Sequence, residues 1–246
     1  MNTPKGYKRF MAIGCSHGHL ADEAATRAVL KFQKAWNPHT TIHLGDYVDM
    51  AAFRGGAKGT SDECDPVDRD LAKGIGFLRK LRPNVIINGN HENRLWKDMN
   101  HPNAIVARAA SSVVSEIREL ATSLKAHHIE HYDITRSWYP LGNFRFIHGF
   151  GMGGMNGLKE MGEHFGNVVC AHLHVAEEVA IRRAEPTRAY CVGTLANVPS
   201  MGYALGRRAT ARWSHGFAWG EYNDRDCRVW ISQCAAGQAA FWRLPI

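Results

Sequence analysis

Short apolar runs, polar turns and segments of helical spacing alternate along the first half of the chain. Residues 9–13 form an apolar run that stops at GCSHGH, and residues 22–36 then carry apolar positions three and four apart, the period of a helix with one buried face. The unit repeats. Residues 40–44 are β-branched and end at GDYVD, and residues 66–81 show helical period with Pro83 just beyond as a stop. A third run, 85–88, ends at GNHE, and the Ala/Val/Ile/Leu pattern of 103–124 predicts a long helix. From residue 129 onward the pattern changes to short strands: 144–147 ends at His148, 168–170 ends at AHLH, and later runs alternate around turns such as NDRD.

A βαβαβ front half followed by a strand-rich, mostly antiparallel back half predicts an α/β fold, with two sheets packed face to face and flanked by helices. No Pro/Ser-rich linker, low-complexity tract or internal repeat divides the sequence, so residues 1–246 read as a single domain. A composition of 45% hydrophobic and 22% charged residues supplies a substantial core and excludes disorder, collagen and coiled coil. No run approaches the ~20 apolar residues of a membrane span. The apolar stretch behind the basic start is too short for a signal-peptide core. Six cysteines without CxxC pairing are too sparse for a disulfide scaffold, so reduced thiols and a cytoplasmic location are expected, with no membrane partner. The net charge of +7 favours polyanionic partners without identifying one.

Polar residues collect at the C-terminal ends of the predicted strands, where open α/β sheets place their ligands. In chain order they are Cys15 and His17, Asp46 and Asp49, Asn90 and His91, His148, then His172 and His174. A lone histidine is more often a satisfied structural residue; imidazole, carboxylate and amide from one strand end after another are hard to obtain from packing alone. Such a donor set suits Mn, Zn, Fe or Ni better than Ca. Because about four protein ligands fill one site, the set predicts two adjacent divalent transition-metal ions sharing a carboxylate.

These motifs resemble those of the calcineurin-like metallophosphoesterases, from about Gly14 to His174. GDYVD (45–49) and GNHE (89–92) match the protein Ser/Thr phosphatase version, and AHLH (171–174) matches the family's GHxH with Ala for Gly. The resemblance implies that Asp46 bridges both metals, that Cys15, His17 and His174 complete one site, and that Asn90, His148 and His172 complete the other. It leaves His91 unligated, beside the substrate, to protonate the leaving oxygen, with Asp49 orienting it. Two cations there would acidify a shared water into a hydroxide nucleophile and offset charge on the phosphoryl oxygens.

Two departures bear on activity. The family has Asp where this chain has Cys15, which reads either as a space-filling thiol that leaves one metal short of a ligand or as a thiolate ligand that favours Zn or Fe. Met50 replaces the Arg that follows GDYVD in the protein phosphatases, and those phosphatases lack the GHxH ending, which argues against phosphoprotein substrates. The expected function is hydrolysis of phosphodiesters, with nucleic acid (DNA or RNA) or a nucleotide as substrate. GNHENRL and the later WSHGF resemble phage-type members of the family. A phosphomonoesterase is the first rival, and a non-catalytic metal- or nucleic-acid-binding module is the second.

Arg94, one turn after His91, is the arginine expected to reach the phosphoryl group. Arg54 opens a basic glycine-rich loop, 54–59, that is either a phosphate clamp or a solvated connection. The glycines of 149–157 suit an anion-binding nest or ordinary turns. The run 203–219 interleaves Arg207, Arg208 and Arg212 with Tyr203, Trp213 and Trp219. It suits single-stranded nucleic acid, core packing, or an interface between copies in a homo-oligomer.

Overall fold

The structure, a computed structural model, describes residues 3–151, 156–206 and 208–235. Lys8–Ile13 (β1) shows how the layers arise, because its buried side chains alternate between two cores. Phe10 and Ala12 join the core between the sheets, while Met11 and Ile13 pack under helices on the other face. A strand buried on both faces reads as a continuous apolar run, which is why the sequence shows it plainly.

β1 pairs in parallel with Thr40–His43 (β2), β2 with Val85–Ile87 (β3), and β3 with His127–Ile129 (β4). The other edge of β1 takes Ser214–Tyr222 (β10), antiparallel, and β10 takes Cys227–Ala235 (β11). The first sheet therefore draws on both halves of the chain. In the second sheet the order is Trp138–Leu141 (β5), Phe144–Ile147 (β6), Val168–Cys170 (β7), Thr187–Val192 (β9), Ala176–Ile181 (β8). The expectation of a mostly antiparallel back half holds, since β5, β8, β10 and β11 all pair antiparallel, but β6, β7 and β9 at the centre of the second sheet run parallel to one another. The short hairpins at the edges dominate the local sequence pattern, whereas the parallel pairings are made across intervening segments and leave no local signature.

Helices cover both outer faces. Glu23–Trp36 (α1) is capped by Asp22, whose carboxylate accepts from the Ala25 amide at 2.9 Å. It buries Val29, Phe32 and Trp36 against Met11, Ile13, Phe217 and Trp219. Val67–Leu81 (α2) and Ala104–Leu124 (α4) pack together over Ile86, with Leu78, Val114 and Ile117 between them. Gly157–Phe165 (α5) covers the second sheet through Met161 and Phe165. The inner core joins Phe10, Ile42 and Val85 of one sheet to Phe146, Val169 and Tyr190 of the other.

Two elements escape the sequence pattern. Asn90–Asp98 (α3) grows directly out of GNHE, and its polar first turn hides the helical period. β4 begins His-His and has no apolar run. Among the described residues no helix is long and apolar enough to cross a membrane, and none of the six cysteines is in a disulfide. Residues 152–155 of the glycine-rich stretch and Arg207 lie outside the described residues.

Candidate active site

The loops that leave β1, β2, β3, β6 and β7 meet at one end of the two sheets. Two of them are laced together by main chain: the Cys15 amide donates to Gly45 O at 2.9 Å, His17 to Asp46 O at 2.9 Å, and Gly18 to Tyr47 O at 3.0 Å. Gly45 has φ +101°, and a Cβ there would stand 2.6 Å from both the Gly89 amide and His148 Nδ1, so only glycine lets these loops close. Cys15, His17, Asp46, His172 and His174 all have φ between 51° and 65°. For residues other than glycine that conformation costs roughly 1–2 kcal/mol each, and strain of this kind clusters at functional sites.

A first group joins Cys15, His17, Asp46 and His174, all buried, with donor atoms within 4.8 Å of one another. His17 gives its Nδ1 proton to Asp49 Oδ1 at 2.8 Å, which leaves Nε2 as a lone pair pointing at His174 Nε2 across 3.1 Å. His174 Nδ1 is buried without a partner. Burial, with the neighbouring His17, holds His174 well below the ordinary histidine range, so it stays neutral. Burial and the Asp46 charge push the Cys15 thiol up, and its sulfur accepts the His172 amide at 3.2 Å.

The second group is Asp46, His148 and His172, joined by Asn90, whose Oδ1 lies 3.1 Å from His148 Nε2 and 2.9 Å from His172 Nδ1. His148 donates Nδ1–H to Leu44 O at 2.7 Å, so its Nε2 faces Asn90 Oδ1 and, at 3.3 Å, Asp46 Oδ2; burial of the imidazole is outweighed by the Asp46 charge, which pushes it up. Imidazole, amide oxygen and a shared carboxylate converging in this way are the donor set of a divalent transition metal, whose charge would take the place of the imidazolium proton. The residues therefore fit a pair of metal ions sharing Asp46. Burial works to raise the Asp46 carboxyl and is outweighed by His148, His91 and His17, which hold it ionised. Burial and His148 push His172 down to about 4.

His91 sits between these groups but is tied differently. Its amide donates to Asp46 Oδ1 at 3.0 Å and its Nδ1 to Asp49 O at 2.7 Å, while Nε2 meets Arg94 Nη2 at 3.2 Å and lies 3.8 Å from Asp46 Oδ2. The His17, Asp49 and His91 atoms also converge, yet both imidazoles spend their Nδ1 protons on Asp49, so this contact is a hydrogen-bonded brace. Burial opposes ionisation of Asp49 and is outweighed by hydrogen bonds from His17 and His91, which hold it well below the usual carboxylate range. Asp49 thus orients His91 mainly through its carbonyl, with His91 Nδ1 3.2 Å from its carboxylate.

The structure brings together every predicted ligand, His91, Asp49 and Arg94. It does not bring in Arg54, whose guanidinium is paired with Asp62 at 2.6 Å. In the run 203–219 four of the residues with polar or aromatic side chains face other parts of the chain, while Arg208 is exposed. Trp219 packs with Phe32 and Trp36, Trp213 meets the His174 ring edge-on at 4.2 Å, Arg212 pairs with Glu177, and Tyr203 donates to Asp49 Oδ1 at 3.0 Å.

Sequence reasoning missed three supports of the site. Glu92 accepts the Asp46, Gly89 and Val48 amides, fixing the β2 and β3 loops to each other; burial and Asp46 push its carboxyl up to about 7 against those hydrogen bonds. Asp70, buried on α2, accepts the His19 amide and imidazole on one oxygen and the Asp49 and Met50 amides on the other. Tyr203 is the third. Glu92 was legible as the last letter of GNHE, whereas nothing local marks Asp70 or Tyr203.

The calcineurin-like phosphoesterase family model matches residues 8–181. No curated protein matches the sequence. Among solved structures, a Vps29 single mutant from Entamoeba histolytica shares 12% identity over 92% of both chains, with a TM-score of 0.46. YfcE, a phosphoesterase from E. coli, shares 18% over 95% of this chain and 96% of its own, with a TM-score of 0.39. The nuclease MPE of Pseudomonas putida shares 14% over 76% of this chain and 74% of its own, with a TM-score of 0.37.

Proposed function

The chain belongs to the calcineurin-like phosphoesterases, and from that premise we propose that it hydrolyses phosphodiesters in nucleic acid or nucleotide substrates. The observation that carries the reading is His91: it stands among a full set of ligand-type side chains, yet its Nδ1 is spent on the Asp49 carbonyl and its Nε2 borders Arg94. Holding metal needs no such residue, whereas expelling an alkoxide does.

Cys15, His17 and His174 would hold one divalent ion and Asn90, His148 and His172 the other, with Asp46 shared. When bound, such a pair supplies Lewis acidity toward a phosphoryl oxygen and toward the attacking water. The chain's own residues do the rest. Asp49 O fixes His91 Nδ1–H, so Nε2, which accepts from Arg94 Nη2 here, is the atom through which a protonated His91 would serve the leaving oxygen. Arg94 places two guanidinium nitrogens between Asp49 O and His91 Nε2, within reach of a phosphoryl oxygen bound there. Burial keeps His172 and His174 neutral, so each has one ring nitrogen free to hold a cation.

The test is turnover of bis-p-nitrophenyl phosphate beside p-nitrophenyl phosphate, by metal-stripped protein refilled in turn with Mn, Zn, Fe, Ni and Mg. Diester turnover is expected to exceed monoester turnover. Asp46→Ala should abolish it together with metal binding, and His91→Ala should lower it by about 10²–10⁴-fold with metals retained. Full activity in either variant sinks the mechanism; preference for the monoester makes the protein a phosphomonoesterase. Tight binding of two metals without turnover of either ester would favour a binding module.

A further inference from the structure

Arg94, whose Nη2 lies 3.2 Å from His91 Nε2, also lines a groove of about 810 Å³ between the turns that follow β2, the end of α3 and the start of α4. Its charge is lopsided. Arg54, Lys58, Arg94 and Lys97 line it against Glu63 and Asp98, and Arg54 and Glu63 are already engaged, by Asp62 and by the Gly59 amide. Lys58 and Lys97 are exposed and have no hydrogen bond or ion pair among the described residues. The groove also has apolar wall: Phe53 is half-buried, and Ile105 is 80% exposed, an unusual position for a large aliphatic side chain.

We propose that this groove binds the leaving-group side of a single-stranded nucleic acid whose scissile phosphodiester lies at His91. The inference rests on the phosphodiesterase reading above and extends it to the substrate's length and strandedness. At about 810 Å³ the groove lies toward the upper end of the ~300–1,000 Å³ that hold drug-sized ligands, so it has room for more than a phosphoryl group and a small alcohol. Free ammonium groups beside apolar and aromatic surface are the mixture that tracks a backbone and packs its bases. Bases reach such a wall only when they are unpaired, which selects a single strand. The side is set by Arg94, which lines the groove and holds its Nη2 3.2 Å from Nε2 of His91, the residue that serves the leaving oxygen.

A second basic groove, of about 370 Å³ between α1 and α2, carries Arg69, Lys73 and Lys80. Its inner end is Gly18 and His19, and His19 is bound to Asp65 and Asp70 and turned away from the reaction. It serves as the internal control.

The experiment compares wild type, Lys58→Glu/Lys97→Glu and the control Lys73→Glu/Lys80→Glu in metal-loaded protein. Two readouts are taken: turnover of bis-p-nitrophenyl phosphate, and anisotropy of fluorescein-labelled 12-mers of single-stranded DNA and RNA across a salt series. The groove variant is expected to keep diester turnover within twofold of wild type, to bind a 12-mer at least tenfold more weakly at low salt, and to lose about 1.4 from the slope of log K against log salt, the share of two phosphate contacts on a single strand. The control should match wild type in both. The proposal is overturned if wild type binds neither 12-mer, if the groove variant binds as wild type does, or if the control loses as much as the groove variant. Absence of diester turnover in wild type would overturn the reading above while leaving the binding result to decide the groove.

Discussion

Tyr203 donates its hydroxyl to Asp49 Oδ1 across 3.0 Å, from a loop 154 positions further along the chain. The same oxygen accepts His17 Nδ1 and lies 3.2 Å from His91 Nδ1, so one tyrosine steadies the carboxylate on which both the candidate ligand His17 and the proposed proton donor His91 lean. Tyr203→Phe removes only this bond, worth about 1–2 kcal/mol when its acceptor is charged and buried. A fall in kcat of roughly 10-fold is expected, with KM and bound metal unchanged. Metal analysis beside steady-state kinetics checks it; loss of metal in parallel with kcat would assign Tyr203 to ligand support alone.

Cys15 is expected to set which ion the first group prefers. Its buried thiol is pushed up in the absence of a cation, so only a bound soft metal makes thiolate the stable form. Cys15→Asp is expected to shift the most activating ion from Zn or Fe toward Mn or Mg, and Cys15→Ala to lower occupancy of one ion by 10-fold or more. Equal metal content and an unchanged preference in both variants would make Cys15 a packing residue.

Asp70 never touches the centre, yet it holds the loops after β1 and β2 together through four hydrogen bonds. Asp70→Ala strands buried amides at a cost of about 3 kcal/mol or more, enough to lower the Tm by several degrees and to misplace Asp49. Activity should fall even at temperatures where the variant is fully folded, as circular dichroism and turnover measured together would reveal.

Acid sensitivity has a source away from the metal ligands. Burial pushes His43 down to about 3 and His128 down to about 4, so both stay neutral in the fold and charge readily once it opens. Their stabilisation is complete above about pH 6.5 and is lost as pH falls toward those values, at roughly 1.4 kcal/mol per pH unit for each histidine. Urea unfolding at pH 7 and pH 5 should show the loss, and His43→Gln should show a smaller one. An identical pH dependence in the variant would remove His43 from the account.

The convergence of the candidate ligands was legible because most stand in short motifs at the ends of strands whose buried faces write an apolar run, as at Met11 to Ile13 before Cys15. Their pairing was legible through family resemblance and not through spacing. What stayed hidden depends on contacts between distant segments. Nothing near Asp70 tells that its carboxylate meets the Asp49 amide, and the aromatic and basic letters of 203–219 fit core packing as well as a binding surface, so they do not show that Tyr203 and Trp219 face inward. Arg54 looked like a phosphate clamp because Asp62, its partner, lies on a later turn. α3 was missed because catalytic side chains occupy the positions where a helix usually shows its period.

The place of β1 between β2 and β10 sets an order of events during synthesis. Every candidate ligand has been synthesised once His174 is made, but the strand that closes the other edge of β1 comes later, at Ser214–Tyr222. A nascent chain can therefore hold all its ligands while one backbone edge is still open to pairing with a neighbour. Early metal capture at the strand ends would draw the two half-built sheets together in that interval, so metal supply during translation should govern the yield of soluble protein.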